Sequence, residues 1–147
     1  MIAADEGPLI ICQELALDGI WKSGLRGRAS YTYQEAEDEA THSWLSNSPR
    51  NLGKLQVSVP LWKDKVFGGL EFMYVSRRET DLGTSAGDYS LLNFTIFSHN
   101  IVKGLEFSVG VYNLLDREFD DPAPQSPFPH LQDVIPQDGR SFRVKLT

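Results

Sequence analysis

The stretch Leu25–Gln34, LRGRASYTYQ, decides the fold. Its odd positions, Leu25, Gly27, Ala29, Tyr31 and Tyr33, form an apolar or small set. Its even positions, Arg26, Arg28, Ser30, Thr32 and Gln34, are all polar. Successive strand side chains point to opposite faces, so these residues predict a strand with one apolar and one polar face. A helix would scatter the same arginines around its circumference.

Working outward, the period of two recurs. Leu55, Val57, Val59 and Leu61 alternate with Lys54, Gln56, Ser58 and Pro60. Leu105, Phe107, Val109 and Val111 alternate with Glu106, Ser108, Gly110 and Tyr112, and Phe142, Val144 and Leu146 with Ser141, Arg143, Lys145 and Thr147. Gln13–Trp21, Phe67–Arg77 and Tyr89–His99 are noisier but keep the period at Leu15/Leu17, Leu70/Phe72/Tyr74 and Leu92/Phe94/Ile96. The expectation is an all-β chain of about seven strands, each roughly 8–12 residues long, the span of a tilted membrane strand.

The connections alternate too. Lys22–Gly24, Lys63–Lys65 and Asn100–Lys103 read as tight hairpin turns. Ala36–Arg50, Glu79–Asp88 and Arg117–Gly139 are long and rich in Asp, Glu, Ser, Gly and Pro. Short and long links in strict turn predict an up-and-down antiparallel meander with one trimmed rim and one elaborate rim, as outer-membrane barrels are built.

Composition bounds the function. The 147 residues are 41% hydrophobic and carry 14 Lys plus Arg against 20 Asp plus Glu, a net charge of −6. That argues against a general nucleic-acid binder, which needs a basic face for phosphate. Cys12 stands alone, excluding an intrachain disulfide or a cysteine-rich zinc site. No apolar run reaches the ~18 residues of a membrane helix, and no basic-then-apolar export signal opens the chain. Membrane strands escape this test, since their signal is alternation alone.

The period does not decide what each face meets. In a soluble sandwich the apolar face packs on a second sheet. In a membrane barrel it meets lipid, and the polar face lines the lumen. Trp21 and Trp62 precede short turns and Tyr31 and Tyr33 a long link, where an apolar ring with a polar handle suits a membrane interface. Arg26, Arg28, Lys54, Glu106, Arg143 and Lys145 share the polar parity with Glu14 and Asp18, a set that a wide aqueous bore or a solvated sheet face accommodates.

With these strands identified, the chain resembles TonB-dependent outer-membrane receptors. The carriers are GLEFSVGVYNLLDREFDDP (Gly104–Pro122) and IPQDGRSFRVKLT (Ile135–Thr147), with GLRGRASYTYQEAED (Gly24–Asp38) and NSPRNLGKLQVSVPLW (Asn47–Trp62) similar to consecutive strands upstream. The resemblance implies that the chain is a partial segment of a 22-stranded transmembrane β-barrel plugged by an N-terminal domain, in the outer membrane of a Gram-negative cell. It also implies energised uptake of a siderophore–iron complex, cobalamin or similar nutrient, driven by TonB acting on a segment before the plug. Nothing in the quoted residues resembles that segment or a plug. The expected organisation is an irregular stretch over residues 1–12, then the C-terminal barrel strands over residues 13–147. A seven-strand sheet alone cannot close, so its expected partners are outer-membrane lipid, the remainder of the barrel and the plug.

The ending also resembles the signal read by the barrel-assembly machinery, with Gln137, Gly139, Phe142 and Val144 in its polar, glycine and two hydrophobic places; it departs in finishing on Thr147 rather than an aromatic residue. In this family ligand contacts come from plug, lumen wall and outer loops. His42, Trp44, Phe128 and His130 are therefore candidates either to stack on a ligand or to pack the loops together.

No enzyme is expected, and no catalytic, cofactor or metal residue is assigned. His42, His99 and His130 are scattered, and Asp116, Glu118, Asp120 and Asp121 lack the ligand order of an EF-hand. No nucleophile has an evident base, and the glycines make no phosphate cradle; Gly27 and Gly110 are expected to relieve crowding within strands. The alternative from another class is a soluble all-β module that binds carbohydrate or protein.

Overall fold

The computed structural model describes residues 8–38, 43–63, 65–102, 104–125 and 130–147. Seven long strands form one sheet: β1 (Pro8–Ile20), β2 (Arg26–Asp38), β3 (Asn51–Trp62), β4 (Val66–Val75), β5 (Tyr89–Val102), β6 (Leu105–Tyr112) and β7 (Ser141–Leu146). Their spatial order is their chain order, every neighbouring pair is antiparallel, and β1 and β7 form the two edges. This is the expected meander.

Two boundaries differ from the sequence expectation. β1 starts at Pro8, inside the stretch expected to be irregular, because Pro8–Cys12 pair with Asp38–Gln34 of β2. Cross-strand bonding there extends a segment whose own alternation is weak. Likewise, β5 continues through Val102 into what was expected to be a turn, with Val102 opposite Leu105 after an irregularity beyond Ser98.

Register sorts side chains into two faces. One row runs Gly19–Gly27–Val57–Leu70–Phe94–Val111–Phe142 across all seven strands. Beside it lies Leu17–Ala29–Leu55–Phe72–Leu92. No second layer covers this face among the described residues: Leu17 is 63% exposed, Leu70 43% and Phe142 71%. Among the described residues the buried hydrophobic side chains are the small Ala36, Ala86 and Ala123 together with Val75. A sandwich would bury these leucines and phenylalanines instead.

The rim aromatics follow the same logic. The Trp21 indole lies against Gly19 and Gly27, where a Cβ on either glycine would come within 2.6 and 3.2 Å of the ring. Gly19 and Gly27 thus leave the seat for the Trp21 ring. On the other half of β2, the Tyr31 hydroxyl donates to Asn51 Oδ1 (2.5 Å) and the Tyr33 hydroxyl to Glu35 Oε1 (2.6 Å).

Candidate functional site: the inner wall and the long-connection rim

The opposite face is polar along its middle. Asp18, Arg28, Gln56, Glu71 and Asn93 lie abreast on β1 to β5, and with Tyr112 they help line a hollow of about 640 Å³. Arg28 forks onto Asp18, with Nε 2.9 Å from Oδ1 and Nη2 3.4 Å from Oδ2. Glu71 is held flat on the wall, one oxygen accepting from Gln56 Nε2 (2.7 Å) and the other from Asn93 Nδ2 (2.9 Å). Asn93 Oδ1 in turn accepts the Asn113 backbone N–H (2.9 Å), which carries the hydrogen-bonded row into the last long connection. Gly110 leaves room on this wall for the Tyr112 ring, and Arg143 lies 5.1 Å from that ring's centre. Towards the short turns, Phe67 and Phe97 stack at 5.3 Å, and His99 meets both rings edge-on while pairing with Glu106 at 3.1 Å.

Near the long connections the inward parity turns apolar, with Leu52, Val75 and Tyr89 abreast and Met73 beside Leu91. This is the source of the noise in β4 and β5. The wall there is roofed by other parts of the chain: Val75 is buried, and the Tyr89 ring lies 4.4 Å from that of Phe119.

The roof is made by the long connections. Arg78, only 7% exposed, donates from Nη1 to Asn47 Oδ1 (3.1 Å) in the first connection. From Nη2 it donates to the Asp120 carbonyl (3.1 Å) and to Asp121 Oδ1 (2.7 Å) in the third. Its guanidinium also sits 5.4 Å from the centre of the Tyr89 ring. A planar fork of donors suits this multiple task better than a point charge. Asp81 repeats the pattern with opposite sign, accepting from the Ser46 side chain and from the Gln125 N–H (3.0 Å). These two donors hold its carboxyl below the usual carboxylate range, Ser46 the more strongly. Buried Thr80 donates to Asp133 Oδ2 (2.8 Å), as does Thr84, and the Asn47 N–H donates to the Glu79 carbonyl (2.8 Å).

The sequence-derived candidates are dispersed. Trp44 pairs with Glu37 at the end of β2, and its ring is stacked on Arg50 of the same connection at 3.5 Å. His130 is exposed in the third connection, while His42 and Phe128 lie outside the described residues. Gln137 and Gly139 sit in the connection before β7, whereas Phe142 and Val144 stand on the outward face of that edge strand. Gly139 has a local reason: a Cβ there would come 2.9 Å from Asp116 Oδ1, which accepts the Arg140 N–H at 2.7 Å. Two carboxylates of the acidic cluster are engaged in such contacts, Asp121 on Arg78 and Asp116 on the Arg140 N–H, while Asp120 meets Arg78 through its backbone carbonyl. No group of three or more His, Cys, Asp or Glu is placed to hold a metal among the described residues. Sequence reasoning missed Arg78 and Asp81, since neither belongs to a motif and their partners lie 31 to 44 positions away.

Comparison with known proteins agrees with this architecture. The family model for the TonB-dependent receptor-like β-barrel matches residues 14–114, more than half of the chain. Among solved structures, the siderophore receptor PiuA from Acinetobacter baumannii superposes with a TM-score of 0.74 at 17% identity, over 95% of this chain and 21% of that one. The copper transporter OprC gives 0.75 at 14% identity, over 95% and 23%. The ferripyoverdine receptor of the outer membrane of Pseudomonas aeruginosa gives 0.68 at 18%, over 90% and 18%. At such identities the likeness is one of fold, and the chain spans about a fifth of the length of these structures. No curated protein matches it by sequence. With most of the meander inside the matched span, the chain belongs to the TonB-dependent receptor-like β-barrel family.

Proposed function

We propose that this chain is the C-terminal part of the barrel of a Gram-negative outer-membrane receptor that takes up a siderophore–iron complex, cobalamin or a similar scarce nutrient. One observation carries the reading: the apolar face is uncovered while the opposite face carries a hydrogen-bonded polar row from Asp18 to Asn93. In lipid an uncovered apolar face is matched to its solvent, and the polar face is matched to an aqueous bore.

The parts then have roles. Residues 13–147 supply the closing staves, with β1 already under way at Pro8. The edges of β1 and β7 pair with the remainder of the barrel, since an open edge is not tolerated in hydrocarbon. The row from Asp18 to Asn93 faces the plug, and TonB acts through the N-terminal part of the receptor. Gln137, Gly139, Phe142 and Val144 serve the barrel-assembly machinery. His42, Trp44, Phe128 and His130 are the ligand-facing candidates of the long-connection rim.

The test is solvent dependence. Expressed as part of its receptor, the segment should fractionate with outer membranes and give a compact, heat-modifiable band only from detergent or lipid. A soluble, monomeric, cooperatively unfolding protein in plain buffer would overturn the reading in favour of a binding module. Nutrient identity is tested separately, by growth of a receptor-deleted strain on single iron or cobalamin sources.

A further inference from the structure

We propose that residues 43–50, 76–88 and 113–125 of the three long connections form a single interlocked unit over one side of the bore's mouth, a lid whose keystone is the 76–88 connection through Arg78 and Asp81. The idea rests on the proposed receptor reading for its purpose, not for its geometry.

Three observations carry it. First, Asn47 and Asp121 bond the same guanidinium, and Ser46 and Gln125 bond the same carboxylate. The first and third connections are thus tied through the second by two groups of opposite charge. Second, the Arg78 half of the tie is buried, Arg78 and Thr80 being 7% and 5% exposed, so the guanidinium's bonds are partly shielded from competing water, whereas Asp81 stands exposed. Third, it is seated inward: Tyr89 shares its face with Asn93 of the polar wall, and both Arg78 and Phe119 rest on its ring. A ligand that shifts one connection must therefore break or carry the contacts of the others. Capture would be registered by the rim as one cooperative unit rather than by three independent loops.

The experiment is amide hydrogen exchange on the full-length receptor carrying these strands, folded in detergent micelles, with no ligand present. Asn47→Ala alters only the first connection. It should nevertheless speed exchange over 120–125 as well as over 43–50, by about tenfold, with β3–β5 unchanged. Asp121→Asn should do the converse, and Arg78→Gln should release all three connections together. Changes confined to the mutated connection in both Asn47→Ala and Asp121→Asn would overturn the lid, even if Arg78→Gln fails to fold. Because no transport or ligand enters the measurement, a negative uptake assay would count against the receptor reading and leave this result standing.

Discussion

On the outward face of the sheet Leu17, Leu55 and Leu70 stand open, whereas among the long connections Arg78, Thr80 and Asn113 are buried. In a water-soluble protein these two regions would exchange their residues. Under the proposed receptor reading, the difference teaches that the chain is built for two solvents. Where it meets hydrocarbon, an exposed leucine costs nothing and an unpaired polar group costs several kcal/mol, so alternation alone organises β2 to β6. Where it meets water, apolar side chains are scarce, and the connections are held by hydrogen bonds that converge on a few buried polar groups.

Substitutions that reverse the two environments should break this contrast. Leu70→Arg puts a charge in the middle of the outward face and should cost about 2–4 kcal/mol, seen as a loss of heat-modifiable barrel in lipid. Its neighbour Glu71→Leu, pointing into the bore, should cost less, since it removes only the bonds from Gln56 and Asn93. Equal losses would mean that the two faces do not meet different solvents.

Asn113→Ala is next. Its side chain accepts the Arg117 N–H (2.9 Å) and donates to the Arg117 carbonyl (2.8 Å), and its φ of +51° suits Asn better than Ala. A loss of about 1–3 kcal/mol in denaturant melts is expected, with faster exchange over 113–117.

A smaller effect sharpens the account of the apolar rim. Gly19→Ala should shift stability by less than about 1 kcal/mol, because the indole of Trp21 can swing away. With Trp44 and Trp62 replaced by Phe, the emission of Trp21 should nonetheless change, and an unaltered spectrum would remove Gly19 from the seat.

The smallest effect is the response to acid. A carboxyl whose folded pKa is depressed contributes stability that is present above its unfolded value and lost as pH falls through the folded one. Asp81 is such a group, so protection over 43–50 and 120–125 should weaken only below about pH 4. Asp81→Asn should remove that acid limb.

How much was legible in the sequence follows from which forces are local. The alternation in Leu25–Gln34 is a property of consecutive residues, and the structure pairs Ala29 with Leu55 and Arg28 with Gln56 just as that parity demands. The noise at Met73, Val75 and Leu91 was visible, but its cause was not. These residues share the inward face, and at its rim Val75 is buried and Tyr89 lies against Phe119 from far along the chain, so no local period encodes them. The site was less legible still. Trp44 drew attention as an aromatic in a loop, yet it is engaged by Arg50, and the residues that join the connections are an arginine and an aspartate without a motif.

The sequence by itself determined the strand count, the order of short and long links and the chemical character of each face, because these depend on side-chain parity and turn chemistry between neighbours. Tertiary structure alone decided that the apolar face goes uncovered and that three separate connections converge on Arg78 and Asp81. Both are outcomes of packing between segments tens of residues apart, where long-range geometry and the surrounding solvent, rather than local propensity, set the free energy.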